Sequence, residues 1–436
     1  MKHILLFGAG KSATVLIAYL QEIAVQKQWQ VTIVDQDLAA LQAKLNRHPL
    51  ILPVGISIHD AKTRYGLIQQ ADVVISLLPP SLHILVAVDC LEARKSLLTA
   101  SYVDDQMRSM SGAIKEANIL FLCEMGLDPG IDHMSAMQLI HRIRNRQGRI
   151  LSFVSHCGGL IAPESDNNPW HYKFSWNPRN VVLAGKAGAE YLEDSIVRQV
   201  PYEKLFTDCP KVRIPGLGTL AYYSNRDSLS YLPTYGLSDA HRFQRTTLRY
   251  PEFCSGWEKV VAAGLTDETV LLDTDALSVA DFFQQAFARK GLQLDTPLLR
   301  EQFGFLGWEN PAPLGLGKVS SATILQHILE EKWKLLSGDR DMVVMMHELA
   351  YETDMGSGLP PVTRNVKSYL VVKGENALHT AMAKTVGLPL GIAATLFLEG
   401  RITETGLQIP ILPGIYEPVL TGLQQHGIVF EESEEG

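Results

Sequence analysis

The first stretch able to do chemistry is Gly8-Ala9-Gly10-Lys11-Ser12-Ala13, entered from a strand-like run, His3–Phe7, and left by a helix-like run, Ser12–Gln26. In a G-x-G-x-x-A turn the first glycine permits the tight bend and the second lets the backbone approach a pyrophosphate. The alanine keeps helix and strand close, and unpaired N–H groups at the helix start meet the phosphates. Gly8, Gly10, Lys11, Ser12 and Ala13 are therefore expected to bind a dinucleotide. Asp35 ends a second strand-like run, Gln30–Val34, 22 residues beyond Ala13. A carboxylate there accepts hydrogen bonds from the adenine ribose hydroxyls and repels a 2′-phosphate. No arginine follows in Asp35-Gln36-Asp37, so the expectation is NAD in preference to NADP; the bland alternative is an exposed turn aspartate. Ser76, Leu77 and Leu78 lead out of a fourth strand, where the nicotinamide side of such a site is lined.

These residues need a platform, and the first 126 positions supply one. Strand-like runs at 3–7, 30–34, 50–54, 72–78, 96–100 and 119–124 alternate with helical periodicity at 12–26, 81–94 and 104–117. The run Asp72–Leu78 is almost continuously apolar, as a strand buried on both faces requires. Alternating strands and helices predict an α/β fold with a Rossmann-type, doubly wound parallel sheet. After Gly126 the pattern changes. Ile150–His156 reads as a strand and 157–180, rich in Gly, Pro, Asn and Trp, as a long functional loop. Strand-like pieces follow near Val212, Ala221 and Tyr250, and 256–337 is mostly helical with a break at 310–317. Met342–Met346 and Lys367–Val372 are strand-like again, His379–Gly400 is a small-residue-rich helix, and Glu431–Gly436 reads as a solvated acidic tail.

The chain has 436 residues, 46% of them apolar and 20% charged, which fits two or three globular domains at about 150 residues each. Lys plus Arg is 39 against 47 Asp plus Glu, a net charge of −8 without any long basic run. That balance argues against nucleic acid or an anionic membrane as partner, and any anionic ligand must be met by a local Arg or Lys cluster. The apolar stretch Leu388–Leu398 is about half the length a membrane span needs. Five scattered cysteines without a CxxC pair, and no HExxH or Cys–His cluster, point to a reduced cytoplasmic protein without a metal site.

Glu124-Met-Gly-Leu-Asp-Pro-Gly-Ile-Asp-His133 is followed by Ser155-His-Cys-Gly-Gly-Leu160, Ala162-Pro-Glu164 and Tyr172-Lys-Phe-Ser-Trp176. Ser224-Asn-Arg-Asp-Ser228, Thr247-Leu-Arg-Tyr250, Asp341-Met-Val-Val344 and Met382-Ala-Lys-Thr-Val-Gly387 come after them in order. This succession closely resembles the glutamate-forming saccharopine dehydrogenases, or saccharopine reductases. The resemblance implies oxidation of saccharopine, a secondary amine, to 2-aminoadipate 6-semialdehyde and glutamate, or the reverse reductive condensation. Ser101 and Tyr102 are implied to lie against the substrate, and Asp128 to contact substrate and cofactor as a binding or basic carboxylate. Arg226 and the segment Thr247, Leu248, Arg249 are implied to bind substrate carboxylates, whose geometry suits the guanidinium fork. Arg245 lies between them. Cys157 is carried over as an active-site residue without a covalent role, while Asp132 and His133 are expected to cap and anchor the following helix. His156 stands where an aromatic Tyr is expected, Trp170-His171 falls in a variable stretch, and Asp35 resembles the NAD-using catabolic branch.

The resulting expectation is a Rossmann domain over 1–126 plus 388–436. An α+β substrate-binding and dimerisation domain takes 127–255 plus 338–387, with a small helical insertion at 256–337. The active site is expected in the cleft between the first two, in a homodimer. Two other readings stay open: a carboxynorspermidine-type synthase or another enzyme forming a secondary amine, and a catalytically silent nucleotide-binding protein.

Overall fold

A computed structural model describes residues 1–353 and 360–435. They form two units, one of Met1–Arg146 with Leu378–Phe430, the other of Gln147–Ala377 with the last strand, Glu431–Glu435. The segment 127–146 thus stays with the nucleotide unit: its Ile131–Asn145 helix packs on the Pro413–Gln425 helix of that same unit. Residues 378–387 join it too, because the Ala381–Leu398 helix lies along α1, Thr14–Lys27. The helical segment 256–337 belongs to the second unit.

The first unit is built on β1 (His3–Phe7), β2 (Gln30–Asp35), β3 (Ile51–Gly55), β4 (Val73–Ser76), β5 (Ser96–Thr99) and β6 (Leu120–Leu122). Their order is β6-β5-β4-β1-β2-β3, all parallel, and Gly406–Gln408 adds a seventh parallel strand beside β6. The order reverses between β1 and β4, the switch point at whose carboxyl side such sheets bind ligands. Both β1 and β4 are fully buried, which is why their sequences run apolar without alternation. The Ala381–Leu398 helix is long and apolar enough to cross a membrane, which corrects the shorter estimate from the sequence; 83% of it is buried inside this unit.

The second unit centres on a mixed sheet whose main path runs Lys211–Ile214, Gly218–Ser224, Arg242–Arg249, β7 (Arg149–Ile161), Asp341–Thr353, Val362–Lys373, Glu431–Glu435. Two expectations change here. Cys157, Gly158 and Gly159 lie inside β7, not in a loop: the glycines permit a close strand contact, since a Cβ on Gly158 would come within 2.7 Å of the Leu248 Cβ and carbonyl oxygen. The acidic tail is an antiparallel edge strand, registered from Asn365 against Glu435 to Tyr369 against Glu431, with Gly436 outside the described residues. Tyr369 donates to Glu431 at 2.7 Å, Tyr351 donates to Glu434, and Arg364 lies 3.6 Å from Glu434. Glutamates that read as solvated charge are thereby paired across the sheet edge. Helices Pro251–Ala262, Val279–Arg289, Pro297–Leu306 and Ser321–Lys332 close over a core of Trp170, Tyr172, Phe253, Trp257 and Trp333.

Candidate active site

In the first unit, β1 ends in Gly8 at φ +97°, and a Cβ there would lie 2.7 Å from the Leu77 carbonyl oxygen. Gly8 N–H donates to the Val34 carbonyl and Leu77 N–H to the Phe7 carbonyl, so the turn is clamped between β2 and the exit of β4. A Cβ at Gly10 would meet nothing within 4 Å, leaving one side of the turn open for a backbone-to-phosphate approach. Lys11–Ala13 form a single 3-10 turn before α1 begins at Thr14, slightly later than the periodicity predicts. Gly8→Ala should weaken NADH binding about 10-fold or more by forcing a side chain into left-handed backbone against a carbonyl. Fluorescence titration with NADH reads the loss, and an unchanged affinity would show that the turn does not set the site.

Asp35 is anchored where β2 ends. Its Oδ2 accepts from Ala9 N–H at 2.7 Å and its Oδ1 from Asp37 N–H at 3.0 Å, which fixes the carboxylate at the edge of the glycine turn. Sequence reasoning missed Lys44, whose Nζ donates to the Ala9 and Gly10 carbonyls at 2.5 and 2.8 Å. Burial pulls its ammonium below the usual lysine range, with Asp35 opposing. No spacing rule marks this lysine, because a short helix and a loop bring it back over the turn.

At the carboxyl ends of β5 and β6 lies the cluster carrying Ser101, Tyr102 and Asp128. Met125 N–H donates to the Thr99 carbonyl and Glu124 N–H to the Ser101 carbonyl, so the segment after β6 continues the pairing past the strand. That places Tyr102 against Asp128, phenol to Oδ1 at 3.0 Å, both half-buried, with a cis peptide between Asp128 and Pro129. Beneath them Glu124 accepts from Val103 N–H at 3.1 Å and from His133 at 2.8 Å. Asp132, in the first turn of its helix, accepts from Gly130 N–H at 2.6 Å; Gly130 itself is the N-cap, and no side chain caps the helix in the way expected of Asp132. His133 is wholly buried on Glu124, an anchor for the loop.

In the second unit, side-chain alternation sorts the predicted residues. Arg245, Thr247 and Arg249 share one face of their strand, while Leu248 points to the other, into an apolar cluster with Leu160, Val344 and Met346. Leu248 therefore offers its backbone rather than its side chain: its carbonyl accepts from the Arg249 guanidinium at 2.8 Å. A row crosses the sheet from Tyr223 to Thr247, Cys157 and Met345. Arg249 is 3% exposed, with its guanidinium 5.3 Å from the ring centres of Tyr172 and Phe253 and 6.0 Å from that of Tyr223. Its Nε has no hydrogen-bond partner, and among the described residues no carboxylate pairs with it. Burial pushes the Tyr172 and Tyr223 phenols up, Arg249 opposing, so the cage around the cation is neutral. Arg245 is also buried, stacked 4.6 Å from the Tyr231 ring, whereas Arg226 is exposed at φ +48° on a two-residue strand.

The Tyr172–Trp176 block is mostly core. Lys173 pairs with Asp339 at 2.7 Å in the interior and Tyr172 builds the Arg249 cage, a role its sequence does not announce. His156, the departure from the expected Tyr, lies on the opposite face from Cys157. It bonds to Thr246 at 2.7 Å and to Glu348 at 3.1 Å, and Lys367 joins Glu348. Glu348 is pulled down to about 2 by these partners against its own burial.

The glycine turn at the switch point of a parallel sheet defines a protein with a Rossmann-type nucleotide-binding unit. Two family models match, "Saccharopine dehydrogenase NADP binding domain" over residues 4–122 and "Saccharopine dehydrogenase C-terminal domain" over residues 126–428. The chain belongs to the saccharopine dehydrogenase family. It is 30% identical to "Saccharopine dehydrogenase [NADP(+), L-glutamate-forming]" of Schizosaccharomyces pombe over 99% of both chains. It is 32% identical to the alpha-aminoadipic semialdehyde synthase of Arabidopsis thaliana over 99% of this chain and 45% of that protein. The chain thus spans about half the length of this relative and of its mouse counterpart, of which it covers 47%. The apo saccharopine dehydrogenase (L-Glu forming) of Saccharomyces cerevisiae superposes with a TM-score of 0.88 at 28% identity over the whole of both chains.

Proposed function

We propose that the chain is a glutamate-forming saccharopine dehydrogenase of lysine metabolism. The reaction takes saccharopine, NAD(P)+ and water to glutamate, 2-aminoadipate 6-semialdehyde, NAD(P)H and a proton, or runs in reverse. The observation that carries this reading is Arg249, a caged, buried cation without a carboxylate partner among the described residues. Burying such a charge is costly, and an anionic ligand would offset the cost. A tricarboxylate substrate supplies that anion; a silent nucleotide-binding protein has no use for it.

The nucleotide unit fits a dinucleotide through the Gly8 clamp, the open side of Gly10 and the anchored Asp35; when bound, that group accepts the hydride from the ε-carbon of saccharopine. Asp128 takes the proton from the secondary ammonium, freeing the nitrogen lone pair to expel the hydride and form an imine. The Tyr102 phenol, donating to Oδ1, orients that carboxylate. The product of hydride loss is the protonated imine; Asp128 passes the captured proton to solvent, the proton the overall reaction releases, and, ionised again, draws a proton from the water that attacks the imine carbon. It hands that proton to the carbinolamine nitrogen, and the carbinolamine collapses to the aldehyde with glutamate leaving as the amine. By the resemblance, Ser101 of the first unit and Thr247, Arg226 and Arg249 of the second are substrate-binding, and Cys157 is a small side chain beside Thr247 on its sheet.

We further propose that NAD is used in preference to NADP. Asp35 holds a negative charge where a 2′-phosphate would come, and Lys44 is committed to the glycine-turn carbonyls. Absorbance at 340 nm with saccharopine and each nucleotide separately tests both statements. Reduction with kcat/KM at least about 10-fold higher for NAD is expected, since one charge repulsion is worth about 1.4 kcal/mol or more at a partly buried site. Preference for NADP would overturn the Asp35 reading and turn attention to Lys44. No reduction with either, from protein that still binds NADH, would overturn the substrate.

A further inference from the structure

The exits of β4 and β5 are joined by a side chain that no motif marks. His83, the first residue of the His83–Glu92 helix, places Nδ1 2.8 Å from Ser76 Oγ and Nε2 2.8 Å from Ser101 Oγ. Burial pulls the imidazole down to about 4, with Asp104 opposing, so at neutral pH the ring carries a single N–H. A neutral imidazole has one donor nitrogen and one acceptor nitrogen. One serine hydroxyl must then donate into the ring while the other accepts from it.

Burial decides which. Ser76 is 0% exposed, and among the described residues the imidazole is the hydrogen-bond partner of its hydroxyl. If Ser76 accepted from Nδ1–H, its own proton would be buried without an acceptor, which is the costly arrangement. With Ser76 donating to Nδ1, every group in the bridge is satisfied and Nε2–H donates to Ser101 Oγ. Ser101, half-buried at the rim of the sheet, is left with its proton directed away from the ring.

We propose that His83 is a positioning residue for the reaction, one that fixes Ser101 as an outward hydrogen-bond donor to a carboxylate oxygen of the substrate. The inference rests on the proposed saccharopine activity. Without the imidazole the Ser101 hydroxyl rotates, while the spacing of the two strand exits is kept by the β4–β5 ladder, which pairs Ser76 with Thr99. His83 touches neither substrate nor cofactor in this scheme and acts through Ser101 alone.

Two isosteric changes separate the two halves of the bridge. An Asn at this position sets its amide oxygen near the place of Nδ1 and keeps the acceptor for Ser76; a Gln sets its amide N–H near the place of Nε2 and keeps the donor to Ser101. Steady-state kinetics of the full chain with saccharopine should show His83→Asn and Ser101→Ala each raising KM about 10-fold with kcat changed less than about 3-fold. His83→Gln should bring KM back to within about 3-fold of the parent, and His83→Asn should add nothing in a Ser101→Ala background. NADH affinity, read by fluorescence, should stay the same throughout. Equal damage from Asn and Gln, an additive double variant, or a KM change that tracks lost NADH affinity or thermal stability would overturn the role. Normal KM in His83→Asn with an active parent sinks this inference and leaves the activity standing. A parent inactive on saccharopine but binding NADH sinks both.

Discussion

Arg249→Met is expected to raise the KM for saccharopine about 100-fold while leaving the protein as stable as before or more so. The two halves of that result have one cause. A guanidinium 3% exposed, ringed by Tyr172, Tyr223 and Phe253 and without a carboxylate partner among the described residues, has lost its hydration for little Coulombic return. Cation–π contact with three rings returns about 0.5–2 kcal/mol each at most, less than the desolvation it answers. Methionine fills a similar volume with an apolar chain that suits an aromatic cage. The substrate carboxylate, by contrast, loses a charge-assisted hydrogen bond inside a dry site, where truncating one partner costs about 2–5 kcal/mol. Arg249→Lys keeps the charge but not the planar fork and should fall between the two. Kinetics and thermal unfolding on the same preparations decide the matter. A large drop in Tm with KM unchanged would make Arg249 a structural cation and remove the main support for a polyanionic substrate.

Local pattern made the first unit readable almost strand by strand. Fully buried parallel strands write themselves as apolar runs, and a glycine turn between strand and helix has few other uses. Even there the ends slipped: helical periodicity at 104–117 is two short helices, Asp105–Ser109 and Ser111–Glu116. Composition misled where glycine served a different purpose. Cys157-Gly158-Gly159 reads as loop, yet Gly158 lies in a strand because Leu248 leaves no space for a side chain. The acidic C-terminal residues read as solvated for want of any local signal that Arg364 and Tyr369 lie on the adjacent strand and Tyr351 on the one beyond it. Lys44, His83 and Tyr172 were not singled out for the same reason. Lys44 and Tyr172 act on residues more than thirty positions away, and His83 on Ser76 and Ser101, at the exits of two strands; only the fold brings them together. The resemblance named Thr247, Leu248 and Arg249 as a block; strand alternation separates Leu248 from the other two.

Asp128→Asn should lower kcat/KM for saccharopine by about 10²- to 10⁴-fold, the span usual for loss of a positioned general base. The amide keeps the shape of the carboxylate and can still accept from the Tyr102 phenol, so NADH affinity and stability should change little. The pH profile is the sharper readout. In the parent, kcat/KM should fall at low pH as the carboxylate becomes protonated and can no longer take the ammonium proton. In Asp128→Asn that acidic limb should vanish, leaving a low, flatter rate. Tyr102→Phe removes the bond to Oδ1 at 3.0 Å but leaves the carboxylate in place, and should cost only about 10-fold. Because the phenol acts on the reaction partly through Asp128, the double variant should be little worse than Asp128→Asn alone. Additive losses would mean that Tyr102 contacts the substrate independently. An Asp128→Asn enzyme with full kcat/KM and the parental pH profile would take the proton-transfer role away from this carboxylate.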